Sequence, residues 1–128
     1  MILQQTIVDV SDNSGARIVR CIKILSGFNE KYAVSGDIIL VAVVSLTNNS
    51  RGSNKCSKMK KGAVYRALVI RSDTCLEEKD GAKYIFADNA VSLIDKERRP
   101  IGTKIKGYVS RNLKPCYHKF YEISSGHA

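Results

Sequence analysis

The stretch Ile7-Val8-Asp9-Val10-Ser11-Asp12-Asn13-Ser14-Gly15-Ala16-Arg17-Ile18-Val19-Arg20-Cys21-Ile22-Lys23-Ile24-Leu25 decides the fold class. Asp12, Asn13, Ser14 and Gly15 stand in a row. Gly accepts positive φ, and short Asp and Asn side chains bond their own backbone, so these four residues make a tight turn. On either side lie runs rich in β-branched residues, Ile7 to Val10 and Arg17 to Leu25, so the turn joins two strands. Arg20 and Lys23, three apart, fall on opposite faces of a regular strand. The second run therefore departs from strict alternation.

The pattern recurs downstream. Gly36-Asp37 is a turn ahead of Ile38 to Leu46, an almost wholly apolar run rich in Val and Ile that reads as a buried or barrel strand. Lys60-Lys61-Gly62 introduces another strand, Ala63 to Arg71. Tyr84 to Phe86 and Ala90 to Ile94 are short strands joined by Ala87-Asp88-Asn89, and Asp80-Gly81 is a hairpin turn. Several short strands with turns between them form a small antiparallel barrel or a sandwich. The polar stretch Thr47 to Ser57 reads as a mobile hairpin tip. Beyond Gly107 the pattern changes. Val109 to Lys114 suits one or two helical turns, Pro115 interrupts them, and Tyr117 to Ile123 suits a second short helix. The tail Ser124 to Ala128 should fray. A chain of 128 residues with no internal repeat is one domain, 1–128, with a barrel over 1–107 and a C-terminal helical part over 108–124.

Charge narrows the function. The net charge of +9 is unevenly placed. From Arg51 to Arg66 there are six cations and no acid, and from Asp95 to Lys119 eight cations against two acids. Such clusters make basic faces suited to a polyanion, with nucleic acid ahead of an anionic membrane surface. No apolar run reaches the ~18 residues of a membrane helix, and Met1-Ile2-Leu3 leads straight into the folded pattern, so either nothing is cleaved or a targeting piece is already gone.

Catalysis has no constellation here. The histidines, His118 and His127, both lie near the C-terminus, and Glu77-Glu78 are neighbours in sequence that point apart in a solvated loop. No Gly-rich nucleotide loop or metal triad occurs, so neither cofactor nor metal is expected. Cys21, Cys56, Cys75 and Cys116 form no Cys-x-x-Cys pair. Cys21 reads as a small buried hydrophobe in a strand, and the thiols as reduced.

What is present suits RNA. Lys and Arg side chains and turn N–H groups bind phosphate. The loop carrying Arg51, Lys55, Lys58, Lys60 and Lys61 is long and cationic. In Arg98-Arg99-Pro100-Ile101-Gly102-Thr103-Lys104, Pro and Gly restrict the backbone that carries the charge, so less entropy is lost on binding. The aromatics (Phe28, Phe86, Phe120 and six Tyr) are scattered and read mostly as core. Recognition of folded RNA by shape and phosphate fits better than base stacking on an open sheet.

The wording of several blocks resembles one known family, the fourteenth protein of the large ribosomal subunit in its bacterial and organellar form. The blocks are Gln4-Gln5-Thr6 with Asp12 to Arg17; Tyr32 to Val44 with Gly36-Asp37-Ile38-Ile39; Lys60-Lys61-Gly62 with Arg66 to Arg71; Asp80-Gly81 with Phe86-Ala87-Asp88-Asn89-Ala90; and Pro100 to Gly107 with Val109 and Arg111. They follow one another in register over nearly the whole chain. The resemblance implies a mainly β fold, a small five-stranded β-barrel with a projecting hairpin and a short C-terminal helical segment. It implies a structural role with large-subunit rRNA, at the face that meets small-subunit rRNA, where the family helps form intersubunit bridges. Its neighbours there are the third and nineteenth large-subunit proteins, and a ribosome silencing factor can dock on it. Together with the charge pattern, the blocks make Asn13, Ser14, Arg17, Arg51, Lys55, Lys58, Lys60, Lys61, Arg71, Arg98, Arg99, Lys104, Lys106 and Arg111 the candidate RNA contacts.

The chain departs from the pattern in places. Thr47 to Ser57 is longer than in bacterial members, Ser92 stands where an aliphatic residue is expected, and the chain finishes Ser-Ser-Gly-His-Ala. The ending puts the silencing-factor and neighbour contacts in question. Drifted details on a bacterial-like frame suggest a mitochondrial ribosome, with plastid or bacterial cytoplasm as alternatives. The competing functional reading is a free-standing RNA-binding factor of translation or RNA processing.

Overall fold

The computed structural model describes residues 2–25, 27, 31–46, 60–73, 76–77, 81, 83–84, 88–110 and 118–127. In chain order the elements are β1 (Ile7–Val10), β2 (Ala16–Ile24), β3 (Ile38–Leu46), β4 (Val64–Arg71), β5 (Leu76–Glu77), β6 (Lys83–Tyr84), β7 (Ala90–Ile94), β8 (Ile105–Val109), α1 (His118–Ile123) and β9 (Ser124–His127). Five strands close into a barrel in the order β1-β2-β3-β4-β7. Every neighbour pair is antiparallel except the closing one, where β1 runs parallel to β7 through Asp9↔Ala90 and Val10↔Val91. The fold is thus the mainly β, five-stranded barrel rather than the sandwich.

The barrel interior is packed by alternate residues. Val19 and Cys21 of β2, Ile39, Val41 and Val43 of β3, Ala67 and Val69 of β4, and Val91 and Leu93 of β7 are all buried there. Cys21 is a free, fully buried thiol among them, as its apolar surroundings in sequence suggest. The irregular alternation of β2 has a definite cause. Its register with β3 shifts between Ala16 and Ile18, between Ile18 and Val19, and between Cys21 and Lys23. The first and third shifts add a residue to β2 and the second adds one to β3, and the extra residue between Cys21 and Lys23 resets which side chain points outward. Arg20 and Lys23 are consequently both exposed, although regular pleating would separate them.

β4 and β7 carry unbroken buried runs, residues 67–70 and 90–94, because they are covered on both faces. Leu68 and Ile70 of β4 and Ala90 and Ile94 of β7 face away from the interior, where Ile105 and Val109 of β8 and Phe120 of α1 pack over them. Each fully buried side chain of this size contributes about 1.5–3 kcal/mol, so the C-terminal segment is a structural layer of the domain.

That segment differs from the helical expectation. Val109 ends β8 instead of opening a helix, and Ser110 N–H donates to Ile70 O at 2.9 Å. The residues at 124–127, expected to fray, form β9 and pair in parallel with β8. Helix among the described residues is confined to the six of α1. Glu77, expected in a loop, lies in β5, which pairs antiparallel with β6 across Gly81. The expected hairpin tip, Thr47 to Ser57, and the expected helical turns at 111–114 lie outside the described residues.

Candidate nucleic-acid interface

The parallel seam of the barrel is only two residue pairs long, and the turn after β1 extends it. Ser11 N–H donates to Val91 O at 3.0 Å. Beyond that, the Asp12 carboxylate takes over from the backbone. Its Oδ2 accepts Leu93 N–H at 2.9 Å and Ser92 Oγ at 3.1 Å, while Oδ1 accepts Ser14 N–H at 3.2 Å and Ser14 Oγ at 2.5 Å. Asp12, Ser14 and Ser92 are all buried. Ser92, where the family pattern has an aliphatic residue, thus has its hydroxyl satisfied by this carboxylate. Burial pushes the Asp12 carboxyl above its ordinary range, and the bonds from Ser14, Leu93 and Ser92 pull it part of the way back.

Asn13 then ties the turn to the basic loop. Its Oδ1 accepts Thr103 N–H at 2.7 Å and Lys104 N–H at 3.2 Å, and its Nδ2 donates to Thr103 Oγ1 at 2.7 Å. Its own N–H donates to Lys104 O at 3.2 Å, and Lys106 N–H donates to Ser11 O at 2.7 Å. Gly102 is needed for this approach. A Cβ there would stand 2.7 Å from Asn13 Oδ1 and 3.1 Å from Asp12 Cβ.

The other end of the loop is closed by Asp95. Its Oδ1 accepts the N–H groups of Glu97 and Arg99, each at 2.9 Å, and its backbone pairs with Arg98 and Arg99. Arg98 is held at φ +63, a strained conformation for a side-chain-bearing residue. Ile101 N–H returns to Leu93 O at 3.1 Å. Arg98, Arg99, Lys104 and Lys106 are therefore exposed cations on a backbone pinned at both ends. Arg99 meets Glu97 at 3.4 Å, a solvent-exposed pair of small worth.

Arg71 occupies a different position. Its Nε donates to Asp88 Oδ1 at 3.2 Å and Nη2 to Asp88 Oδ2 at 3.4 Å and Ser11 Oγ at 2.7 Å. Nη1 donates to Lys106 O at 3.0 Å and Tyr108 O at 3.1 Å. A guanidinium has five N–H donors, and all are engaged within the chain. Arg71 clamps β4 to β8, with its donors directed to partners within the chain.

The remaining candidates divide. Lys60 and Lys61 are exposed on the turn into β4, where Ala63 N–H donates to Lys60 O at 3.2 Å, and Arg17 is exposed at the start of β2. Arg51, Lys55, Lys58 and Arg111 lie outside the described residues. Sequence reading does not single out Arg20, Lys23 and Arg66, which the barrel wall exposes. Lys23 and Arg66 are brought together across Leu40 by the pairings Lys23↔Leu40 and Leu40↔Arg66. The signal for Lys23 is invisible without the bulge. The expectation that the aromatics are mostly core needs correcting for Tyr32 and Tyr108, which are exposed, while Phe120 is buried.

Among the described residues no cluster of His, Cys, Asp or Glu could hold a metal ion, and no helix is long and apolar enough to cross a membrane. The fold is a small closed β-barrel that presents cations on short pinned loops. The chain matches the family described as Ribosomal protein L14p/L23e over residues 1–127, and it belongs to that family. It is accordingly a structural constituent of the large ribosomal subunit that binds rRNA and serves translation, and the family is not enzymatic. The free-standing factor finds no support in this match.

Proposed function

We propose that this protein grips large-subunit rRNA through the exposed cations Arg17, Lys60, Lys61, Arg98, Arg99, Lys104 and Lys106, joined by Arg51, Lys55, Lys58 and Arg111. Asn13 and Ser14 act in this reading by shaping the loop, and Arg71 by clamping β8 beneath it. The observation that carries the proposal is the basic 95–104 loop, held at one end by Asp95 and at the other by Asn13. A pinned cationic loop keeps its charges presented with little further ordering cost on binding.

The protein sits, in this proposal, at the face of the large subunit that meets small-subunit rRNA and helps form intersubunit bridges. Its neighbours in this reading are the third and nineteenth large-subunit proteins, and a ribosome silencing factor is a further partner if the divergent C-terminus keeps that contact. The drifted loop and C-terminus favour a mitochondrial ribosome. The family match supports the statements on the interface, bridges and partners, and the departures from the bacterial pattern support only the mitochondrial one.

The direct test replaces Arg98, Arg99 and Lys104 by Gln and titrates large-subunit rRNA across a salt series. Each lost phosphate contact should lower the slope of log affinity against log salt by about 0.7–0.9. An affinity and slope equal to wild type would remove this loop from the interface. Location is tested by a high-salt sucrose gradient of a mitochondrial lysate. Co-migration with the large subunit supports the proposal, whereas recovery only in cytosolic ribosomes overturns the mitochondrial assignment. Large subunits assembled without the chain should fail to join small subunits on a separate low-salt gradient, and normal joining there would remove the bridge.

A further inference from the structure

Tyr108 is 59% exposed, the most exposed large apolar or aromatic side chain among the described residues. Its backbone is nevertheless fixed. Arg71 Nη1 donates to the carbonyls on both sides of Gly107, those of Lys106 and Tyr108. Val109, the next residue, is fully buried, and Ser110 N–H donates to Ile70 O at 2.9 Å. A rigid strand therefore holds an aromatic ring out in solvent.

The surroundings of the ring are open and basic. Its chain neighbour is Gly107, at φ +81, where a Cβ would collide with Arg71 Nη1. Its partner across the β8–β9 ladder is Gly126. Neither residue has a side chain to shield the ring. Lys106, two residues earlier on β8, is exposed, as is Lys104 just before the strand. The nearby Asp88 carboxylate is paired with Arg71 at 3.2 Å, which offsets its repulsion toward a phosphate.

An open π-face next to cations matches the two parts of a nucleotide. Aromatic rings stack on any base, while Lys side chains meet the flanking phosphates. Two exposed Lys on the segment leading to the ring disfavour a purely apolar protein partner, whose docking there would desolvate them. We propose that Tyr108 is a stacking platform for an unpaired nucleobase of the rRNA. The proposal rests on the RNA-binding reading above and adds a base contact to a phosphate-gripping surface.

Stacking and phosphate contact separate cleanly in a salt series, because only the latter releases counterions. In vitro transcribed large-subunit rRNA is titrated with wild-type chain, Tyr108→Ala, Tyr108→Leu, Tyr108→Phe and Lys106→Ala. The expected result is a loss of about 5- to 150-fold for Tyr108→Ala, with the salt slope unchanged. Tyr108→Phe should bind within about twofold of wild type, because it keeps the ring. Tyr108→Leu should weaken like Tyr108→Ala, because it keeps bulk without the π-face and controls for folding. Lys106→Ala should instead lower the slope by about 0.7–0.9.

Wild-type affinity in both Tyr108→Ala and Tyr108→Leu would overturn the platform and leave the ring to a protein neighbour or to solvent. A slope change in Tyr108→Ala equal to that of Lys106→Ala would overturn it as well, since it would show a disturbed cationic surface. Wild-type chain without salt-dependent RNA binding would instead sink the underlying reading, so the two failures are distinguishable.

Discussion

Replacing Arg71 by Met tests whether this cation is a clamp or an RNA ligand. Met keeps much of the aliphatic stem and removes every donor. The substitution strips five hydrogen bonds, but they are not equal in value. Asp88 has a half-exposed side chain and can return to water, so its bidentate pair contributes under about 1 kcal/mol. The bonds to Lys106 O, Tyr108 O and the buried Ser11 Oγ are less recoverable. At roughly 1 kcal/mol net for each of these, the total loss is about 2–4 kcal/mol. With a urea dependence of about 1–3 kcal/mol/M, the unfolding midpoint should fall by about 0.7–4 M. Amide exchange should localise the damage, with the Ser110 N–H that bonds Ile70 O losing protection before the barrel strands do. RNA titration of the still-folded variant should show the wild-type salt slope. A wild-type urea midpoint combined with a slope lowered by about 0.7–0.9 would refute the reasoning and return Arg71 to the phosphate contacts.

Gly102→Ala should destabilise the chain by about 1–3 kcal/mol, because the added methyl overlaps Asn13 Oδ1 and crowds Asp12 Cβ. It should also weaken rRNA binding although no charge is removed, and an unaltered urea midpoint with unaltered affinity would show that the loop accommodates the methyl. The raised Asp12 carboxyl sets a pH dependence with a definite sign. Between its ordinary value and its raised folded value, the folded chain holds a proton that the unfolded chain lacks. Its stabilising contribution is therefore fully present below the ordinary range and is lost as pH rises through the folded value. Urea midpoints of wild type minus those of Asp12→Asn should accordingly rise as pH is lowered through that window. A difference that falls instead would show the four hydrogen bonds to the carboxylate outweighing its burial.

The parts of the fold that sequence reveals are those where one short stretch contains its own explanation. Ile38–Leu46 and Ala90–Ile94 are strands with the boundaries their composition suggests, since β-branched runs between polar turns have few alternatives. β8 was illegible for the opposite reason. Ile105-Lys106-Gly107-Tyr108-Val109 has a glycine at its centre and little propensity of its own. It becomes a strand because Ser11, Arg71 and β9 satisfy its backbone, and all three are distant in sequence. The bulges of β2 are likewise products of pairing, and they bring Lys23 to the outer wall beside Arg66. The candidate site shows the same division. Arg98, Arg99 and Lys104 could be picked out as exposed charge on a restricted loop. That Arg71 is fully engaged within the chain follows only from the fold.

One consequence concerns how this surface can hold RNA. Turn amides are attractive phosphate ligands when they point outward, and the first turn and the basic loop both looked able to supply them. In the folded chain they are committed elsewhere. Ser14 N–H goes to Asp12, Glu97 and Arg99 N–H to Asp95, Thr103 and Lys104 N–H to Asn13, and Ile101 N–H to Leu93. The donors that would have cradled an anion instead hold the loop in shape. Phosphate recognition then falls to Lys and Arg side chains standing on a fixed backbone. Such contacts follow the path of the RNA chain and respond strongly to salt, but they carry little base information. A surface built this way touches bases only through a group of another kind; in the stacking proposal that group is the ring of Tyr108 on β8, which would add contact area without choosing between bases.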